Sequence, residues 1–237
     1  MNNVKEKVSV IVSAYRASEY IQECIESIAN QSYFKSFDDY EILLGIDGCS
    51  DTLSVVSDFM DSIKNLKILY SSKNVGPYLV FNTLVKMSNS NIISVFGADD
   101  IMLPDFIKNN VSIIKKNSFV IARGSNFVGE KTNIVRTYNP DGIITFNRSE
   151  FIAINGFASW RCGADSDLKI RLKLNGNSPI LSNETTFLRR IHDKSLTSNR
   201  KYGMRSEYRS TIRTITRSRK EPKLPDFQYL KKYKMIK

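Results

Sequence analysis

Histidine occurs once, as His192, and cysteine three times, as Cys24, Cys49 and Cys162, in a chain of 237 residues. One imidazole excludes any metal site that needs two, and three scattered thiols match neither a zinc knuckle nor a disulfide framework. Such sparse thiols suit a reducing cytoplasm. A Ser-His-Asp triad could form only around His192, and no nucleophile-elbow sequence accompanies it. No apolar run approaches the ~20 residues that cross a bilayer. The opening MNNVKEKVSVIVSAY enters a strand pattern rather than a signal peptide. Neither GxGxxG after the first strand nor GxxxxGKS/T occurs, which argues against a dinucleotide-type site and a P-loop.

What is present is ordinary in amount and uneven in placement. Hydrophobic residues make up 41% and charged residues 25%, enough for one substantial buried core and too apolar for a disordered chain. Net charge is +11, yet residues 189–237 carry 16 Lys and Arg against 4 Asp and Glu. The first 188 residues hold 19 basic and 20 acidic side chains and are close to neutral. A neutral body with a basic C-terminal fifth points to a polyanionic partner, unless the tail only aids solubility.

The first hundred residues alternate short apolar runs with amphipathic segments. Residues 8–14 (VSVIVSA) read as a strand buried on both faces. Ser18 can cap a helix to about Gln31, with Tyr20, Cys24, Ile25 and Ile28 on one side. Strands are expected at 40–46, 66–70 and 91–96, and helices at 51–63 and 77–87. This alternation predicts right-handed βαβ units and an α/β fold with a mostly parallel sheet flanked by helices. Beyond residue 100 the order loosens: helices at 104–116 and 165–175, strands at 119–123, 142–146 and 185–191.

Ligands bind beyond the carboxyl ends of such strands. Four polar clusters sit there: Ser13-Ala14-Tyr15-Arg16, Asp47-Gly48-Cys49-Ser50-Asp51, Ser72-Lys73-Asn74-Val75-Gly76 and Gly97-Ala98-Asp99-Asp100. An aromatic face, a carboxylate able to accept from an N–H, a glycine allowing backbone approach and an acidic pair suit a base, a ribose and a metal-bound diphosphate. Each also has a simpler reading: Asp47-Gly48 as a turn, Asp99-Asp100 as favourable charge before the next helix.

At these residues the chain resembles family-two glycosyltransferases of the GT-A (Rossmann-like) fold. VSVIVSAYRASEYIQECIESIANQS resembles that family's opening strand and helix, and EILLGIDGCSDT its E-I-x-V-V-D-D-G-S-T-D segment. NVGPYLVFNTLV resembles N-x-G-x-x-x-A-R-N-x-G, and SVFGADDIMLPDF the acidic metal motif. GADSDLKIRLKLNG resembles E-D-x-x-L-x-x-R-L-x-x-x-G, and RRIHDKSLT the closing R-x-H-x-x-S-x-T. The six motifs run in order from Val8 to about Thr197, a span of some 80% of the chain.

The resemblance implies a metal-dependent, inverting hexosyl or pentosyl transferase that uses a nucleoside-diphosphate sugar. Residues 1–198 would form the catalytic domain, with a nucleotide-sugar half at 1–100 and an acceptor half at 101–198; 199–237 would be a basic helical arm. Tyr15 would pack on the base and Asp47 would accept from it, which favours uracil or thymine and so UDP or dTDP. Asn74, Gly76 and Asp99 complete the expected donor contacts. Asp100 is expected as the direct ligand of Mn²⁺ or Mg²⁺, with His192 beside it and Arg189 or Arg190 assisting. Asp165 would be the general base, with Asp167 as the alternative. The pattern is broken at Ile46, Gly97, Phe81 and Ala164, where the family has Asp, Asp, Arg and Glu.

Arg205, Arg209, Arg213 and Arg217 recur every four residues and predict a cationic helical stripe, with Met204, Tyr208, Ile212 and Ile215 docking the opposite side. Trp160 is a candidate acceptor contact. Two acceptors fit: a hydroxylated base in DNA gripped through its phosphates, or an envelope polysaccharide or lipid-linked glycan at the inner membrane face. The work would be cytoplasmic, peripheral to a membrane for a lipid-linked acceptor. A module that only binds glycan or nucleic acid is the alternative of another class.

Overall fold

The computed structural model describes residues 6–237. Residues 1–5, part of the segment read as lacking a signal peptide, lie outside the described residues. The chain runs β1 (Val8–Ala14), α1 (Ile21–Ala29), β2 (Tyr40–Asp47), α2 (Ser50–Phe59), β3 (Leu66–Ser71), α3 (Pro77–Met87) and β4 (Ile92–Gly97). It continues as β5 (Ile101–Met102), α4 (Phe106–Ile113), β6 (Ser118–Phe127), β7 (Ile134–Tyr138), β8 (Ile144–Asn147) and α5 (Arg148–Ala153). Last come α6 (Ala164–Leu174), β9 (Ser178–Arg190), α7 (Glu207–Arg217) and β10 (Lys234–Met235).

Among the described residues one sheet holds ten strands in the order β10-β3-β2-β1-β4-β8-β6-β9-β5, with β7 paired to β6. Strands β3, β2, β1 and β4 are parallel neighbours, as are β6 and β9. The other pairings are antiparallel and short, so the sheet is mixed, while its long ladders are parallel as the sequence implied. The strand order reverses direction between β1 and β4, the kind of crevice in which α/β sheets bind ligands.

Both faces of the parallel part are covered, which is why its strands read as unbroken apolar runs. Val10 and Val12 of β1 pack with Ile21, Cys24 and Ile25 of α1 on one side. Ile11 packs with Val80 and Leu84 of α3 on the other. Gly45 lets α3 come close: a Cβ there would lie 2.2 Å from Val80 Cγ1.

Ser18 does not cap α1, because the Tyr20 and Ile21 N–H groups both donate to Ala17 O and the helix starts later. Nor is α7 the expected stripe. It begins at Glu207, capped by Ser206, so Arg205 precedes it. Its docked side is Ile212 and Thr216, with Tyr208 and Arg209 half-buried, while Met204 and Ile215 are 50% and 41% exposed. Gly163 sets that register, since a Cβ there would meet Ile212 Cγ2 at 2.9 Å.

Residues beyond α7 are strapped onto the body. Leu224 N donates to Ile154 O at 3.2 Å, Asn82 Nδ2 to Gln228 O at 2.7 Å, and Leu230 N to Thr83 Oγ1 at 2.8 Å. Strand β10 then adds an antiparallel edge to β3. Among the described residues no helix is long and apolar enough to cross a membrane.

Candidate active site

Strand register assembles the site. Ala14 lies beside Ile46 and Ser13 beside Gly97, so β2, β1 and β4 end level with one another. At about 4.8 Å between strands, Tyr15, Asp47 and Asp99 lie at three neighbouring strand ends on one edge of the sheet. Tyr15 is 45% exposed and offers its ring to solvent. Arg16 turns the chain there with φ 54° and places its guanidinium 5.2 Å from the Tyr15 ring centroid.

Asp47 is 1% exposed and organises a loop. Its Oδ1 accepts from Val75 N at 2.7 Å; its Oδ2 accepts from Gly76 N at 2.9 Å and Asn74 Nδ2 at 3.0 Å. Burial raises this carboxyl, against the two N–H donors and the Arg161 charge. Gly48, at φ +69°, allows the contact, since a Cβ would stand 2.3 Å from Asn74 N. Arg161 closes the loop from outside, donating to Asn74 Oδ1 at 2.6 Å and Asn74 O at 3.2 Å. A carboxylate has about four acceptor positions; three of those on Asp47 are used, which leaves about one for a ligand.

The acidic pair divides its labour. Asp100 is 5% exposed, and its Oδ1 accepts from Arg190 N at 3.0 Å. Burial first, then the Asp99 charge, push its carboxyl well above the usual range, against Arg189 and Arg190. It fills the space of the carboxylate missing at position 97: a Cβ on Gly97 would lie 2.6 Å from Asp100 Oδ2. The carboxylate that meets His192 is instead Asp99, with Oδ2 2.9 Å from Nε2. The expected direct metal contact is Asp100; it is the more buried of the pair, and Asp99 is the one that reaches His192.

The Asp99–His192 spacing suits a divalent ion, because two adjacent ligands of an octahedral site at about 2.1 Å lie about 3 Å apart. Carboxylate oxygen and imidazole nitrogen are both ligands that Mn²⁺ accepts. Among the described residues no group of three or more His, Cys, Asp or Glu could hold a metal. An ion here would therefore need phosphate oxygens and water to complete its shell. Arg190 is a brace rather than a free cation: Nη2 donates to Glu23 Oε2 at 2.6 Å, Nε to Asp99 O at 3.2 Å, and its guanidinium lies 4.8 Å from the Tyr20 ring. Arg189 is tied to Tyr138 Oη and Thr197 Oγ1, each at 3.1 Å.

At the start of α6, Asp165 and Asp167 have opposite surroundings. Asp167 is wholly buried and accepts from Arg171 Nε at 2.6 Å and Arg219 Nε at 2.7 Å. Asp165 is half-buried; its Oδ1 accepts from the Tyr78 hydroxyl at 2.9 Å, and its Oδ2 points past Gly142. Tyr78 follows the Asp47-held loop by two residues, so base candidate and loop share one rigid segment. Trp160 is half-buried beneath Arg219, whose guanidinium lies 5.7 Å from its ring. Tyr78, Arg161 and Arg219 escaped sequence reading, because a tyrosine in a helix and arginines in a basic chain carry no local signal.

The profile of glycosyl transferase family 2 matches residues 9–169. This chain belongs to that family. An uncharacterized glycosyltransferase of Haemophilus influenzae is 36% identical over 119 residues, 50% of this chain and 36% of its own length. A dolichyl N-acetyl-alpha-D-glucosaminyl phosphate 3-beta-D-2,3-diacetamido-2,3-dideoxy-beta-D-glucuronosyltransferase of Methanococcus voltae is 33% identical over 113 residues, 46% of this chain and 34% of its own. The chain thus spans about a third of each of these two curated relatives. Among solved structures, S. aureus TarS 1-349 in complex with UDP-GlcNAc aligns with a TM-score of 0.66 at 18% identity, covering 80% of this chain and 60% of that one. The mannosyltransferase PcManGT from Pyrobaculum calidifontis, in complex with GDP-Man and Mn²⁺, aligns at 0.67 and 16%, covering 81% and 59%. These likenesses place the family member in the GT-A fold.

Proposed function

We propose that the chain transfers a sugar from a nucleoside-diphosphate sugar, UDP-linked by preference, to a hydroxyl acceptor with inversion. The observation that carries the reading is the gathering of an exposed Tyr15, the Asp47-held loop, the Asp99–His192 pair and Asp165 around one end of the sheet. Tyr15 stacks on the base, and the remaining acceptor position on Asp47 receives the uracil N3–H. Relatives of the same fold bound to UDP-GlcNAc, or to GDP-Man and Mn²⁺, support a nucleotide sugar and a divalent ion in general.

Asp99 and His192 would hold Mn²⁺ or Mg²⁺, which when bound offsets charge on the departing diphosphate. Tyr78 fixes one oxygen of Asp165 and leaves Oδ2 to take the acceptor proton. The acceptor oxygen then bonds to the anomeric carbon from the face opposite the diphosphate, whose bond to that carbon breaks. Asp167 has no part in this transfer, since both of its oxygens serve arginines.

For the acceptor, we favour a glycan over a hydroxymethylated base in DNA. Arg205 lies off the helix and Arg209 is turned inward, so no row of four arginines faces solvent. Thermal-shift titration with UDP and Mn²⁺ tests the donor site. We expect cation-dependent stabilisation that Asp99→Asn abolishes and Asp165→Asn preserves, while Asp165→Asn loses turnover by at least about 100-fold. Folded protein that no nucleoside diphosphate stabilises would defeat the reading.

A further inference from the structure

We propose that Arg209 and Arg213 of α7 form an oxyanion subsite beside Asp165, which receives a phosphate or carboxylate carried by the acceptor near its reacting hydroxyl. The inference rests on the reading of Asp165 as the base and adds a substrate class to it.

Helix α7 packs beside the turn that carries Asp165. The Arg161 N–H donates to Tyr208 Oη at 3.3 Å, and Ile212 fits the space beside Gly163. Gly163 is the N-cap of α6, and Asp165 is the second residue of that helix. The docked stretch of α7 therefore lies against the turn that presents the base. Arg209 belongs to this stretch: its Nε donates to Tyr202 O at 3.1 Å, and its charge acts on both the Cys162 thiol and the buried Tyr78 hydroxyl. Arg213, one turn on, anchors Nη2 on Met204 O at 3.1 Å, and its charge also acts on Cys162.

Neither guanidinium meets a carboxylate within ion-pair distance among the described residues, where Arg171, Arg190 and Arg219 all do. Arg161, the next cation toward the donor loop, hydrogen-bonds Asn74 through its side-chain oxygen and carbonyl and lies 6.0 Å from the Tyr202 ring, with its charge acting on Asp47. Anchors of this kind orient a guanidinium without neutralising it. Two such cations sit on the helix that docks at Gly163, two residues before Asp165, and a neutral acceptor would not require them. Arginine suits the task, since its planar fork can grip a phosphate or carboxylate with two parallel hydrogen bonds. Residues four apart rise about 6 Å along a helix, a separation that one oxyanion held between two guanidinium groups can bridge.

The test is calorimetric titration of the full chain with glucose 6-phosphate, glucuronate and glucose, alone and with excess UDP and Mn²⁺. We expect both anions to bind and glucose not to, with the affinity unchanged when UDP and Mn²⁺ are added. The stronger anion identifies phosphate or carboxylate as the preferred group. Arg209→Gln and Arg213→Gln should each weaken anion binding about tenfold while UDP affinity holds; Arg213 is exposed, so its variant keeps the fold even where Arg209→Gln does not. No anion binding, or binding displaced by UDP, overturns the subsite. Equal loss of UDP affinity in the variants assigns these arginines to the donor diphosphate and also overturns it. Failure of UDP itself to bind would instead count against the glycosyltransferase reading.

Discussion

The Tyr78 hydroxyl donates to Asp165 Oδ1 at 2.9 Å, joining the helix behind the Asp47-held loop to the first turn of α6. Tyr78 is 7% exposed, with its ring 5.2 Å from that of Phe157. Burial and the Asp165 charge keep its hydroxyl protonated well above the usual range. It is thus a fixed donor that aims a carboxylate.

Tyr78→Phe retains the ring in its pocket and removes only the donor. A hydrogen bond to a charged group is worth about 1.5–3 kcal/mol, so kcat should fall about 10- to 100-fold. Donor KM should not change, and Tm should shift by only a few degrees. Steady-state kinetics with differential scanning calorimetry would decide it; an unchanged kcat would mean that Tyr78 does not orient the base.

Asp47→Asn tests the loop. One amide oxygen cannot serve Val75 N, Gly76 N and Asn74 Nδ2, and its NH₂ would face an N–H group. UDP affinity should fall at least about tenfold while Asp165-dependent steps in the bound complex survive. The sign of the pH effect follows from burial raising Asp47. The folded state keeps this proton to higher pH than the unfolded chain, so stability declines as pH rises out of the ordinary carboxylate range. Asp47→Asn should remove that part of the slope, measured by urea unfolding across pH.

Residues 8–14 and 77–87 have the bounds that the sequence implied, because β1 is apolar on both faces and Pro77 fixes the first turn of α3. The less legible parts lacked local cues. Strand β7 leaves Ile134 and Val135 44% and 57% exposed, so no buried face marks it, and β10 is only two residues long. Which of Asp99 and Asp100 is the more buried depends on His192 and Arg190, some ninety residues away. The inward turn of Arg209 depends on Gly163 admitting Ile212, a contact with no echo in the four-residue arginine spacing. Long-range packing decided these cases.

The two carboxylates of α6 should separate cleanly under mutation. Asp167→Ala leaves Arg171, fully buried, without its charge partner, and breaking such a pair costs about 3–5 kcal/mol. Arg219→Ala removes a side chain that is 24% exposed and leaves Asp167 paired with Arg171, so it should cost about 1–2 kcal/mol. Both losses should appear as a lower urea midpoint with an unchanged slope. Turnover per folded molecule should stay within a few-fold of wild type for Arg219→Ala. An Asp167→Ala protein of full stability would show that the buried pair contributes nothing.

Duplex DNA distinguishes the acceptors through salt. Each phosphate neutralised adds about 0.9 to the slope of log affinity against log salt. Four aligned arginines would give a slope near −4, whereas Arg213 and Arg217, the two exposed arginines within α7, would give about −2. We expect the shallow slope, weak affinity and little sequence preference. Arg217→Gln should then reduce DNA binding without altering the affinity for glucose 6-phosphate, because Arg217 lies a full turn beyond the pair beside Asp165. A slope near −4 that Arg205→Gln also reduces would show that the arm realigns on nucleic acid, and would favour DNA over a glycan as the acceptor.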